Sequence, residues 1–340
     1  MQPILDIRNL SIAFDTDEGA LTAVEDVSFS INKGEVVGLV GESGCGKSVT
    51  ALGLLRLIPM PPGRILSGNV LFGGQDLLRL PASELRGIRG RRISMIFQEP
   101  MSALSPLHRI GAQLSESLQL HSKMDDRVAR ETGRDWLGRV GNPDPGECMR
   151  AYPHQLSGGM LQRVMIAMAL MLDPELIIAD EPTTALDVTI QAQVLDRLRE
   201  MKRLDTSLLL ITHDLGIVWE MCDRVVVMYA AQIVEEGPRR ELFEHPAHPY
   251  TRALLDSVLS LAAGADRLAS IDGQVPSPLA YPSGCRFADR CAHAFDRCRR
   301  EQPPLFDLDD GRRSACFLCA PTPHSTLHTP PSTLHTPRSS

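Results

Sequence analysis

The run EVVGLVGESGCGKSVTALGLLRLI, residues 35–58, decides how the rest of the chain is read. VVGLV is a short, almost wholly apolar stretch, the composition of a strand buried on both faces, and KSVTALGLLRLI reads as a helix. Between them GESGCGKS, Gly41 to Ser48, fits GxxxxGK[ST] within the strand-loop-helix frame that this motif requires. Gly41, Gly44 and Gly46, with Ser43 between them, let the backbone curl so that successive N–H groups face a polyphosphate. The start of the helix, through Val49, adds its partial positive charge. Lys47 is placed to reach the β- and γ-phosphates and Ser48 to ligate Mg²⁺. Cys45 occupies a variable position of the loop and reads as filler.

Upstream, LDIRNLSIAF and LTAVEDVSFSI read as strands broken by DTDEG and NKG turns. Downstream, NVLFGG and ISMIF are strand-like, and Met101 to about Met149 turns polar and helical. From Leu156 to Val234 a helix, the strand ELIIAD, the helix VTIQAQVLDRLREMKRL, the strand SLLLITHD, a short helix and the strand RVVVMYA alternate. That order is the mark of an α/β domain with a largely parallel sheet. LIIADE delivers Asp180 and Glu181 to the carboxyl edge of such a sheet, where α/β folds bind ligands. Asp180 is expected to hold Mg²⁺ and Glu181 to orient or deprotonate an attacking water.

The 340 residues are 43% hydrophobic and 23% charged, a globular balance. The longest apolar run, Val164 to Leu172, is half the roughly 20 residues of a membrane-spanning helix. A net charge of −7 leaves no global basic field for nucleic acid or anionic lipid. The N-terminal MQPILDIRNLSIAF lacks the layout of a secretory signal, so a cytosolic chain is expected. The stretch 321–340, which holds STLHTP twice, reads as a disordered tail.

LSGGM, Leu156 to Met160, followed by Gln162 and Arg163, resembles the signature of ATP-binding-cassette (ABC) ATPases. Gln98 in IFQEP resembles that family's Q-loop glutamine, Ala185-Leu186-Asp187 its D-loop, His213 in ITHD its switch histidine and Phe14 its adenine-stacking aromatic. The resemblance implies an α/β fold of the P-loop NTPase ABC-cassette type: a mixed sheet core over 1–237, an inserted helical subdomain over about 99–170, and a small Cys-rich C-terminal extension over 238–320. It also implies ATP as ligand, with Gln98 sensing the attacking water and touching Mg²⁺, and His213 contacting the γ-phosphate. Ser157, Gly158 and Gly159 at a helix start form a second anion site. In the family two cassettes pair head to tail, each signature, with Asp187 near it, closing over the other's ATP. One departure is Leu161, where relatives more often carry a basic residue.

QEPMSALSPLHRIGAQLSE, EHPAHPYTRALLDSV and GCRFADRCAHAFDRC resemble the oligopeptide/dipeptide importer ATPases. That resemblance implies a peripheral subunit on the cytoplasmic face of the membrane, partnered by a second ATPase and two permeases and fed by an extracytoplasmic solute-binding protein. Nickel and other small-solute importers share the extension, and a soluble ABC ATPase acting on nucleic acid or ribosomes is the rival of another class. Cys285, Cys291, Cys298 and Cys316 are separated by five, six and seventeen residues, with Cys319 beyond. Four thiolates suit an iron-sulfur cluster or a tetrahedral zinc. The resemblance favours a 4Fe-4S cluster, with zinc and plain reduced thiols as the alternatives.

Overall fold

The computed structural model describes residues 2–183, 191, 199, 206–262, 271–308 and 311–320. Asp187, most of the helix expected over 188–204 and the tail 321–340 lie outside the described residues. Twelve strands are described: β1 (Leu5–Thr16), β2 (Gly19–Ile31), β3 (Val36–Val40), β4 (Gly63–Phe72), β5 (Gln75–Asp76), β6 (Ile93–Ile96), β7 (Leu176–Asp180), β8 (Ser207–Ile211), β9 (Arg224–Tyr229), β10 (Gln232–Pro238), β11 (Phe306–Asp307) and β12 (Arg313–Ser314). They form an antiparallel sheet in the order β2-β1-β4-β5 and a mixed sheet in the order β11-β12-β10-β9-β3-β8-β7-β6. Strands β6, β7, β8, β3 and β9 run parallel, and the remaining pairs are antiparallel.

Alternation of side chains across the mixed sheet makes two cores. Val37, Leu39, Ile178, Leu209, Ile211, Val226 and Met228 face the antiparallel sheet, where Leu5, Ile7, Ile12, Val24 and Phe29 meet them. Val36, Val40, Ile177, Ala179, Leu210 and Val225 face the helices on the other side, including Leu114, Leu118, Leu137 and Val164. Every residue of β3, β7 and β8 is buried, which is why these strands read as unbroken apolar runs.

The helix after the phosphate loop spans Lys47–Leu54 and so stops short of the Ile58 suggested by its apolar pattern. Arg56 takes the left-handed conformation at φ 51, and its N–H donates to the Gly53 carbonyl while that of Leu57 donates to Leu52. This is a left-handed helix ending without its usual glycine. The polar block resolves into the helices Ile110–Ser122, Asp126–Arg139 and Pro145–Arg150, packed against Gly158–Leu170.

In the C-terminal region β12 pairs with β10 and β11 with β12, extending the mixed sheet by two short strands. The helix Pro249–Ala262 is anchored at its start by Glu235 of β10, whose carboxylate accepts the N–H groups of Ala247 and His248. No helix among the described residues is long and apolar enough to cross a membrane.

Candidate nucleotide site

Four chain segments reach one edge of the mixed sheet. Strand register puts Val40, Ala179–Asp180 and Ile211 at the carboxyl ends of neighbouring parallel strands. Ile96 pairs with Ala179, and Gln98 follows two residues past the end of β6. The glycine-rich loop, Gln98, the acidic pair and His213 therefore follow the carboxyl ends of neighbouring parallel strands, the place where open α/β sheets hold ligands.

The loop is built from backbone that side chains would block. Gly41 has φ 150 and a Cβ there would stand 2.1 Å from the Met228 carbonyl; Gly46 has φ 105 and a Cβ would stand 2.3 Å from that of Ala23. Lys47 is buried, and its Nζ donates to the carbonyls of Gly41 at 2.8 Å and Glu42 at 3.0 Å. Ser48 Oγ donates to Asp180 Oδ1 at 3.0 Å, which brings together two hard oxygen ligands from segments 132 residues apart. Burial, aided by the neighbouring Glu181 charge, pushes the Asp180 carboxyl above its usual range, while Ser48 and Lys47 pull it down. Cys45 is buried, and burial raises its thiol pKa, so it is no nucleophile in waiting.

Glu181 takes φ 48 just past β7 and its carboxylate meets His213 Nδ1 at 2.8 and 3.0 Å. Nδ1 therefore carries the proton in this arrangement, on a side chain that is 62% exposed. Phe14, on β1, is half-buried, and its ring lies against Gly63, where a Cβ would come within 3.2 Å of it.

Ser157 caps the helix Gly158–Leu170 by accepting the Met160 N–H. Ser157 and Gly158 are exposed, Gly159 is half-exposed, and a Cβ on Gly158 would meet open space. The same helix is tied to the acidic pair by Gln162, whose Nε2 donates to the Pro182 carbonyl. Leu161, at the position of the expected basic residue, is buried in the core.

Sequence reasoning missed two side chains from the extension that touch the loop. Tyr250 Oη accepts the Glu42 N–H at 2.8 Å, and Arg290 binds the Glu42 carboxylate through both terminal nitrogens at 2.7 and 3.0 Å. Their only signal was membership of the HPYTR and ADRC stretches.

Cys285, Cys291, Cys298 and Cys316 line one small cavity together with His248 and His293. Cys319 is not among them, though its thiol hydrogen-bonds with that of Cys316, and its Sγ also approaches the Ala247 carbonyl. Burial raises the thiol pKa of Cys285 and of Cys291. Among the described residues, no three His, Cys, Asp or Glu side chains are grouped so that they could hold a metal ion.

The chain matches the family model described as ABC transporter over residues 24–184, and that described as oligopeptide/dipeptide transporter, C-terminal region, over 234–298. It is 48% identical over 319 residues to the dipeptide transport ATP-binding protein DppD of Bacillus subtilis, covering 94% of this chain and 95% of the relative. To the protein of the same name from Escherichia coli it is 47% identical over 314 residues, covering 92% and 96%. Among solved structures, a dimeric, post-hydrolysis ATP-binding cassette bound to ADP and Pi aligns with TM-score 0.63 at 26% identity, covering 69% of this chain and 99% of that one. With the phosphate loop, signature and acidic strand in place on this fold, the chain belongs to the ABC transporter family and carries that family's oligopeptide/dipeptide-type C-terminal region.

Proposed function

We propose that this chain is the ATP-hydrolysing subunit of an importer for di- or oligopeptides, working at the cytoplasmic face of a membrane. The observation that carries the reading is the convergence of Lys47, Ser48, Asp180, Glu181 and His213 on one sheet edge, in a chain nearly half identical over almost its whole length to dipeptide transport ATP-binding proteins. Ser48 and Asp180 fit Mg²⁺, which takes oxygen ligands and bridges phosphates, and Gln98 stands at the same edge. Bound there, Mg²⁺ would neutralise charge on the phosphates.

The remaining steps belong to the chain's own groups. Loop amides and Lys47 hold the polyphosphate, so Lys47 exchanges its two carbonyl partners for phosphate oxygens. Glu181 orients the attacking water and accepts its proton, while the His213 contact fixes that carboxylate and Nε2 faces the γ-phosphate. Phe14 stacks on the adenine. Ser157, Gly158, Gly159 and the Asp187 segment close over the ATP of a second cassette, whether a paralogue or another copy. Two permeases complete the assembly and receive peptide from an extracytoplasmic binding protein.

Purification from detergent-solubilised membranes of the native host, with identification of stoichiometric partners, tests this. Recovery with two polytopic permeases and a second ATPase, and peptide-stimulated ATP hydrolysis, is the expected result. Recovery with nickel-uptake components changes the cargo, and recovery with DNA or ribosomes overturns transport.

A second reading concerns the extension. We infer that Cys285, Cys291, Cys298 and Cys316 hold a metal centre, because four soft donors line one cavity; the resemblance to the importer ATPases, not the donor set, favours 4Fe-4S over zinc. Such a group would supply a covalent clamp on this loop-rich segment. Anaerobic purification with iron, sulfide and zinc analysis decides between cluster, zinc and free thiols; a colourless, metal-free product leaves free thiols.

A further inference from the structure

Glu42, the second residue of the phosphate loop, is held at three points. Its N–H donates to Tyr250 Oη, its carbonyl accepts from Lys47 Nζ, and its carboxylate is bridged by Arg290. Two of the three holds come from residues more than 200 positions away in the extension. Neither is a casual surface contact: Tyr250 is fully buried and the Arg290 side chain is only 4% exposed. Arg290 is itself fixed by the carbonyls of Ile271 and Asp272 and lies against the rings of Tyr229 and Phe287. Tyr250 packs on Tyr229 and Phe287, and its own N–H donates to His248 Nδ1.

A parallel brace reaches the middle of the loop. The Ala231 N–H donates to the Cys45 carbonyl at 3.0 Å, from a turn in which Ala230 and Ala231 both have positive φ. Arg286 donates to the Ala230 carbonyl and pairs with Glu25. Arg286 and Arg290 are the chain neighbours of Cys285 and Cys291. The cysteine-lined segment thus grips the loop on two sides.

We propose that Arg290 and Tyr250 are positioning residues for the phosphate loop, so that the C-terminal extension sets the affinity of the cassette for ATP. The inference rests on the reading of the loop as an ATP site. Lys47 leaves the Gly41 and Glu42 carbonyls for the phosphates, and Arg290 and Tyr250 then keep their hold on Glu42, whose carbonyl also accepts the Cys45 N–H. A loop kept in its binding shape saves the ordering cost of capture. Arg290 also cancels a carboxylate that would otherwise stand uncompensated beside a polyphosphate.

The test is calorimetric titration of the full-length chain with Mg-ATP, alongside steady-state hydrolysis, for the wild type, Glu42→Gln, Tyr250→Phe, Arg290→Lys and the Glu42→Gln/Arg290→Lys double variant. Tyr250→Phe and Arg290→Lys should each raise the Kd and KM for ATP about tenfold, with a smaller effect on kcat, and Glu42→Gln about threefold, because losing the carboxylate also relieves its repulsion of the polyphosphate. The double variant should be no worse than the poorer single, because both remove one contact. Glu42→Gln leaves every other bond of Arg290 intact, so it tests the loop contact even if Arg290→Lys disturbs the extension. Kd values within twofold of the wild type, with only the melting temperature lowered, would overturn the proposal and reduce the contact to ordinary packing. Failure of the wild type itself to bind Mg-ATP would instead remove the ATP-site reading, and this inference with it.

Discussion

Glu181 shows how much chemistry rests on one backbone torsion. At φ 48 it sits in the left-handed region that non-glycine residues seldom occupy, held there as its N–H continues the ladder to the Ile211 carbonyl. The turn lifts its carboxylate away from buried Asp180 and onto His213. Glu181→Gln keeps the shape and removes the base. Turnover should fall by about a hundredfold or more while Mg-ATP still binds, measured as kcat beside the calorimetric Kd. Gly46→Ala acts differently, since its methyl would press into the Ala23 carbonyl; ATP binding itself should be lost. Lys47, Ser48, Asp180 and Glu181 were legible in the sequence because fixed spacing after an apolar strand carries them. The Glu181–His213 bond and the two extension residues on Glu42 were not, for they depend on contacts between segments that no local pattern records.

Among the elements, the fully buried strands were the most legible, because a strand covered on both faces has no polar alternation to confuse. The two-residue strands were invisible. β12 exists through its pairing with β10, and nothing in Arg313–Ser314 itself announces a strand. Strand β5 is similar and owes its turn to Asp76, which accepts from Asn69 Nδ2 and from the N–H groups of Val70 and Leu78. Burial works to raise the Asp76 carboxyl, but these bonds and Arg79 outweigh it and hold the group below its usual range. A depressed carboxyl contributes stability above its unfolded value near 3.8 and loses it as pH falls through the lower folded value. Asp76→Ala should therefore cost about 1–3 kcal/mol at pH 7, with the gap to the wild type narrowing below about pH 4. Urea melts at neutral pH and near pH 3 check it; an equal gap at both would remove the charge from the explanation.

At the scale of the molecule, the proposed function gives the chain two half-sites that do not serve each other. The phosphate loop is one, and the exposed Ser157–Gly158 start of the signature helix is the other. Gln162 ties that helix to Pro182, so whatever seats a phosphate on the signature also pulls on the segment beside Glu181. A head-to-tail pair would unite the half-sites, with ATP as the bond between two chains. Glu181→Gln, unable to hydrolyse, should then double its mass in light scattering when Mg-ATP is added and remain single without it. Within that background, Lys47→Ala removes the loop half and Ser157→Glu places a negative charge on the signature half. Neither variant alone can form an intact composite site: the first lacks every loop and the second every signature. Mixed together they can form one, from the loop of the Ser157→Glu chain and the signature of the Lys47→Ala chain. ATP should therefore recover a dimer in the mixture that neither variant gives by itself. Dimers from both variants alone, or none from the mixture while the Glu181→Gln parent still pairs, would mean that the signature closes over something other than a partner's ATP.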